Sequence, residues 1–221
     1  MEFVLAVKFL TQRFVNIKAV ARTFRPIWCT QRNFEVTSTG DNLVLIAFNL
    51  EVDVEKVLQG ESWTFDKHFV VLQRYDGITP VMNLTFDKTS FWVQIHNLPF
   101  SLLTVEAAFS ISETLGTVMK PKDINEKRGG NFMRVRVAIE IRKPLCRGRK
   151  ILQDQTGEGW ASFMYEHLLN ICYWCGHLSH HDKDCVLWLS SRSSLSADEQ
   201  QFSSWLRASQ FNPAKKLTVE V

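Results

Sequence analysis

The sequence predicts an α+β protein: a ferredoxin-like split βαβ unit, then a second small α+β unit, then a short module rich in cysteine and histidine. In the first 75 residues, apolar runs of strand length are interrupted by two stretches of helical period. A turn-rich link, Asp76-Gly77-Ile78-Thr79-Pro80, then opens a second series of alternating runs. Three of the five cysteines finally crowd into 14 residues together with histidines.

Residues 3–8 are an apolar run and form the first strand. Ile17, Val20, Ala21 and Phe24 recur at helical spacing until Pro26 closes the segment. Residues 34–37 and 43–50 flank Gly40-Asp41-Asn42, a hairpin signal. Residues 54–58 form a short helix stopped by Gly60, and residues 63–75 read as one long strand. Strand, helix, strand, strand, helix, strand is the split βαβ order, and it occupies residues 1–76. In the second unit, residues 77–170, the first strand is 91–97 and ends at Pro99. Val105, Ala108, Phe109 and Ser112 open a helix running to about Gly116. Residues 118–124, 132–143, 149–152 and 161–166 follow as strands, separated by turns containing Gly129-Gly130, Pro144, and Gly157 with Gly159. Leu43, Leu45 and Ala47 alternate with Val44, Ile46 and Phe48, so that strand is apolar on both faces and predicts two units packed as one body. Residues 187–221 turn to Ser, Gln and scattered charge, which predicts a mostly flexible tail with Trp205 and Leu206 as isolated anchors.

At 221 residues and 45% hydrophobic, the chain can bury one sizeable core or two small ones. No apolar run approaches the ~18–20 residues a membrane helix needs. The first ten residues have no basic start and are broken by Lys8, so they do not read as a signal peptide. An odd number of cysteines does not suit a disulfide framework, and their clustering with histidine points to metal in a reducing compartment. The expected location is therefore inside the cell, in nucleus or cytoplasm, with no membrane partner. The net charge of +3 is unevenly spread: residues 120–150 hold 11 Lys/Arg against 3 Asp/Glu, and both flanking regions are slightly acidic.

Cys172, Cys175, His180 and Cys185 have the spacing C-x2-C-x4-H-x4-C. Three thiolates and one imidazole suit one tetrahedral zinc ion, and the two-residue gap lets one tight turn supply two sulfur ligands. Gly176 lets the backbone turn where a side chain would crowd the metal. The x4 gaps favour His180 over its neighbours His177 and His181, which are expected to face solvent. This knuckle is assigned to residues 171–186. Within it, Tyr173 and Trp174 offer rings for stacking an unpaired base, worth roughly 1–3 kcal/mol.

Between Met133 and Lys143, Met133, Val135, Val137, Ile139 and Ile141 alternate with Arg134, Arg136, Ala138, Glu140 and Arg142. Such a strand buries one face and presents arginines on the other. Lys143, Arg147, Arg149 and Lys150 extend the charge, and the set predicts contact with phosphate. Cys29 and Cys146 read as unligated thiols, and His68 and His96 as structural residues. No Gly-rich phosphate loop, nucleophile elbow or carboxylate cluster is present, and a four-ligand zinc leaves no open position for water, so an enzyme is not expected. The first function class is a zinc-dependent protein that binds RNA or single-stranded DNA. The alternative is a zinc-stabilised protein-interaction or self-assembly module.

Several segments resemble a plant domain of unknown function that precedes a CCHC zinc knuckle in retrotransposon-related, reverse-transcriptase-associated proteins. They are residues 63–74, residues 91–99, Arg134-Val-Arg-Val, Lys143-Pro-Leu and, after the knuckle, Trp205-Leu-Arg-Ala208. The resemblance covers nearly the whole chain and implies a gag-like role in binding RNA or single-stranded DNA. The family's usual Gly-His at the third ligand is Ser179-His180 here, and its Leu-Pro before the knuckle is Leu168-Leu169. Larger members continue into endonuclease and reverse transcriptase domains, and the resemblance leaves open a truncated or a domesticated form of that architecture. The first unit resembles an RNA-recognition motif in element order only. It has Leu43 and Leu45 where stacking aromatics would stand, which marks that sheet as a scaffold.

Overall fold

The computed structural model describes residues 3–11, 13–119, 131–153, 157–191 and 194–209. Among them, ten strands form two five-stranded sheets accompanied by four α-helices, a mixed α+β architecture. The first unit runs β1 (Phe3–Phe9), α1 (Ile17–Trp28), β2 (Phe34–Gly40), β3 (Leu43–Phe48), α2 (Glu51–Gln59), β4 (Trp63–Phe65) and β5 (His68–Arg74). Its sheet order is β2-β3-β1-β5-β4, with every neighbouring pair antiparallel.

Asn16 caps α1 by accepting from the Lys18 and Ala19 amides. The helix does not close at Pro26: it continues to Trp28 with the proline in its last turns. Proline forfeits one helical hydrogen bond there, but Val20, Phe24 and Trp28 form the buried stripe, and Trp28 stacks on Phe24 at 4.5 Å and lies 5.3 Å from Phe34. Asp41 and Asn42 make the β2–β3 turn with φ of 48° and 55°, the left-handed pair a tight hairpin wants. The run 63–75 is likewise a hairpin rather than one strand. Asp66 and Lys67 turn it with φ of 47° and 65°, and the Trp63 indole donates to the Val57 carbonyl at 2.8 Å.

The second unit contains β6 (Lys88–His96), α3 (Val105–Ser112), β7 (Thr117–Met119), β8 (Met133–Glu140), β9 (Gly148–Gln153) and β10 (Gly157–Tyr165), ordered β7-β8-β6-β10-β9. The expected strand 118–124 is seen as β7, and its remainder, like Gly129-Gly130, lies outside the described residues. Gly157 and Gly159 belong to β10, pairing with Gln153 and Ile151, and do not form a separate turn. Phe91, Val93 and Ile95 of β6 and Val135 and Val137 of β8 are buried with Ala108 and Ile111 of α3.

The strand that joins the two units is β5, not residues 43–48. Its Val70 and Leu72 belong to the first core, whereas Phe69 and Val71 belong to the second, with Phe69 5.6 Å from Phe91. Leu45 and Ala47 stay only half-buried. The second core also takes in Leu168, Ile171, Leu178, Phe202 and Leu206. Within the segment 171–186, Ile171 and Leu178 join the core of the second unit, while Cys172, Trp174 and Cys185 form a small cluster of their own with Trp188 and Leu195. Part of the tail is held against the second unit: Leu206 is buried, the Ala208 amide donates to the Tyr165 carbonyl at 3.0 Å, and Gln94 donates to the Ser209 carbonyl at 2.9 Å. Residues 210–221 lie outside the described residues. No helix among the described residues is long and apolar enough to cross a membrane.

Candidate metal centre and basic surface

Cys172 and Cys175 sit on a turn closed by the Gly176 amide, which donates to the Cys172 carbonyl at 2.8 Å. Gly176 has φ +74°, and a Cβ there would stand 2.3 Å from the Phe202 ring, so glycine is required by both backbone and neighbour. The Cys172 amide donates to the His177 carbonyl at 3.0 Å, and the Tyr173 amide to Asp182 Oδ1 at 2.5 Å, which folds the His180 side of the loop back over the turn. Cys185 arrives at the start of α4 (Val186–Ser190). The four ligand atoms of Cys172, Cys175, His180 and Cys185 all lie within 4.8 Å of one another. His180 Nε2 is 3.2 Å from Cys175 Sγ.

Burial pushes the Cys172 and Cys175 thiols up. At Cys185 burial acts the same way, but amide donors from Trp188 and Leu187 and the neighbouring thiols outweigh it and bring the thiol down. Burial, then the nearby His177, lowers His180 and favours the neutral imidazole that a metal ligand requires. Concentrating thiolates in this pocket needs a cation to compensate them, and three sulfurs with one nitrogen at this spacing fit zinc. Cys29 and Cys146 lie outside the cluster. His177 and His181 are both half-buried and do not simply face solvent: His177 Nδ1 is 3.3 Å from Cys175 Sγ, and His181 lies edge-on to His68 of the first unit at 5.3 Å.

The structure reassigns one knuckle aromatic. Trp174 is buried and stacks on Trp188 at 4.6 Å, so its face is taken and it is not a free base-stacking surface. Tyr173 is half-buried, with the Arg207 guanidinium 5.9 Å from its ring.

The basic stretch divides in the same way. Arg134 is not offered to phosphate: its Nε and Nη2 donate to the two oxygens of Glu166 at 2.9 and 2.8 Å, and it lies 3.7 Å over the Trp92 ring. Its side chain is 12% exposed and that of Glu166 1%. Arg136 is similarly enclosed, donating to the Leu58 carbonyl and lying 4.0 Å from Glu61, so it ties the second sheet to the first unit. The physical reason for both corrections is that the face of β8 opposite its apolar side is itself covered, by Glu166 and by the α2–β4 connection. Arg149 turns to the end of α3, near the Ser110 and Ile111 carbonyls. Arg142, Lys143, Arg147 and Lys150 are exposed; Arg142 pairs with Asp87, Lys143 with Glu140 and Lys150 with Glu158 at the surface, and Arg147 donates to the Gln201 carbonyl. The remaining positive residues of the stretch, Lys120, Lys122, Lys127 and Arg128, lie outside the described residues.

Sequence reasoning missed Glu166 and Trp92, the partners that internalise Arg134, because one lies just after β10 and the other in β6, both distant in the chain. It also passed over Trp160, whose signal was present: Trp160, Ser162 and Met164 alternate with Ala161 and Phe163 along β10.

Residues 1–80 match the family described as Domain of unknown function (DUF4283), and residues 139–187 match the family described as Zinc knuckle. The second match begins in β8 and includes β9 and β10, consistent with a knuckle built into the second unit. An uncharacterized protein of Arabidopsis thaliana is 29% identical over 142 residues, covering 62% of this chain. The chain spans 43% of the length of that relative.

Proposed function

We propose that this chain is a zinc-dependent, non-enzymatic protein of the cell interior that binds RNA or single-stranded DNA in a gag-like, retroelement-related role. The observation that carries the reading is the convergence of Cys172, Cys175, His180 and Cys185 within 4.8 Å in a segment that matches the zinc knuckle, a module often used to bind nucleic acid. One zinc ion held by four protein ligands has no position left for water, which favours a structural over a catalytic metal. In this reading the first sheet, ordered β2-β3-β1-β5 with two helices, is a ferredoxin-like scaffold. Phosphate contact falls to the exposed Arg142, Lys143, Arg147 and Lys150, whose surface ion pairs are weak competitors. The test is a filter-binding titration of the zinc-loaded chain against labelled single-stranded RNA, with unlabelled RNA, single-stranded DNA and duplex as competitors. Neutralising those four cations should flatten the salt dependence by about two to three units, at roughly 0.7 per phosphate contact. No binding to any nucleic acid at low salt overturns the reading. A second reading, a protein-interaction or self-assembly module, is favoured by Val186, Leu187 and Leu189 of α4, all exposed. Concentration-dependent sedimentation abolished by Leu187→Ser and Leu189→Ser would support it.

A further inference from the structure

We infer that Ser179 and His177 are positioning residues of the metal centre, Ser179 fixing the His180 ring and His177 donating to the Cys175 sulfur. This rests on the zinc reading above and adds a layer of partners behind its four ligands. Ser179 Oγ is 3.1 Å from His180 Nδ1, and His177 Nδ1 is 3.3 Å from Cys175 Sγ. The His177 and His180 rings lie 6.2 Å apart at 25°, and each reaches Cys175 Sγ with one nitrogen, His180 through Nε2 at 3.2 Å. The four-atom cluster within 4.8 Å is formed with His180 and not with His177, so the two imidazoles have different tasks.

The backbone places both side chains. The Leu145 amide donates to the Gly176 carbonyl at 2.9 Å and the Cys172 amide to the His177 carbonyl at 3.0 Å, which ties residues 176 and 177 to the second unit and to the first ligand turn. Leu178 is buried in the second core. With Leu178 turned inward, His177 and Ser179 on either side of it are turned to the ligands, His177 half-buried and Ser179 exposed. Backbone amides serve the other two sulfurs: Cys175 and Trp174 at Cys172, Trp188 and Leu187 at Cys185. Cys175 has the His177 amide and the His177 ring as well.

Ligand chemistry decides where the hydrogens sit. A ligating imidazole nitrogen offers a lone pair, so with Nε2 turned to the thiols the His180 hydrogen is on Nδ1 and is donated to Ser179 Oγ. A ligating thiolate has no hydrogen to give, so in its contact with Cys175 the His177 ring donates from Nδ1. The first bond selects one of the two neutral tautomers of His180 and holds its ring plane. The second spreads onto an N–H part of the negative charge that three thiolates leave over on a divalent ion. Asp182 and Asp184 add negative charge in the same loop, which raises the value of a donor placed on sulfur. Water can stand in for an exposed hydroxyl, so the loss on removing Ser179 falls at about tenfold in zinc affinity, the low end of what partners behind a metal's ligands contribute.

The experiment measures zinc affinity of the full chain by competition with a chromophoric chelator. Ser179→Ala and His177→Phe should each weaken zinc about tenfold, whereas Ser179→Thr and His177→Asn, which keep a hydroxyl and a donor in the place of Nδ1, should stay within about threefold. Phenylalanine keeps a ring beside His180 and removes only the donor, so lost packing is not what is read. Independently of how the variants fold, NMR of the histidine rings in the zinc-loaded unaltered chain should show His180 bonded through Nε2 with a slowly exchanging Nδ1 hydrogen. That hydrogen should exchange faster in Ser179→Ala. In the cobalt-loaded chain the sulfur-to-metal charge-transfer band should shift in His177→Phe and return in His177→Asn, a signature that reports the bond to sulfur. An unaltered chain that binds no zinc would sink the zinc reading and this one with it. Zinc binding of unchanged affinity in Ser179→Ala and His177→Phe overturns the positioning roles alone, as does a His180 ring bonded through Nδ1 or a His177 ring bonded to the metal.

Discussion

Arg134→Gln should destabilise the protein rather than weaken phosphate contact. The guanidinium makes two hydrogen bonds to Glu166, at 2.9 and 2.8 Å, and covers the Trp92 ring. Removing it leaves a carboxylate whose side chain is 1% exposed, with the Gln94 amide at 2.8 Å as a remaining donor. Breaking a buried pair from one side costs about 3–5 kcal/mol, to which the lost cation–π contact adds a smaller amount. With a urea dependence of roughly 2–3 kcal/mol per molar for a chain of this size, the midpoint should fall by about 1–2.5 M. The assay is urea unfolding followed by near-ultraviolet circular dichroism. Arg134→Met combined with Glu166→Gln should recover much of the loss, because neither buried charge then remains. The reasoning fails if Arg134→Gln unfolds at the wild-type midpoint, and fails doubly if the salt slope of nucleic-acid binding also drops by about 0.7.

Glu61, at the junction of the two units, is pushed up to about 7, mainly by burial, with Ser90 and Arg136 acting in the opposite direction. A carboxyl raised in the folded state favours folding in its protonated form, so its contribution is complete below about pH 4.5 and lost as pH rises through 7. Thermal melts from pH 5 to pH 8 should therefore show a decline that Glu61→Gln flattens, by at most about 3 kcal/mol; an identical decline in both proteins would assign it to other groups. Zinc content measured by atomic absorption should be near one per chain for the wild type and Cys29→Ser and near zero for Cys185→Ser. Chelation should loosen the second unit as well as the knuckle, because Ile171 and Leu178 share its core; melting that stays unchanged in the second sheet would contradict that shared core. Gly176→Ala should lower both zinc retention and the melting temperature, since its Cβ meets the Phe202 ring and its φ is +74°; a melt matching wild type would show that the ring moves aside freely.

Local chemistry was enough to read the metal ligands, because a C-x2-C-x4-H-x4-C spacing forces its own turn and names its donors without help from the rest of the chain. It was also enough for most strands and helices, whose apolar periods are set by which face is buried. At Pro26 a distant contact outweighs a local preference, since Trp28 packing holds the helix past its proline, whereas the run 63–75 carries its own local turn at Asp66-Lys67, which makes it a hairpin. Alternation along β8 showed that Arg134 and Arg136 point away from the apolar core, but not what stands opposite them. Glu166 lies 32 residues away from Arg134 in the chain, and the Leu58 carbonyl 78 away from Arg136, and only the tertiary structure brings them together. The same holds for Trp174, closed off by Trp188, and for Trp160, opened by the absence of a side chain at Gly148. The sequence by itself therefore determined which residues converge as candidate metal ligands and which faces are apolar. Which charged and aromatic groups remain accessible was decided only by tertiary packing, because exposure depends on what other segments cover, and no local period records that.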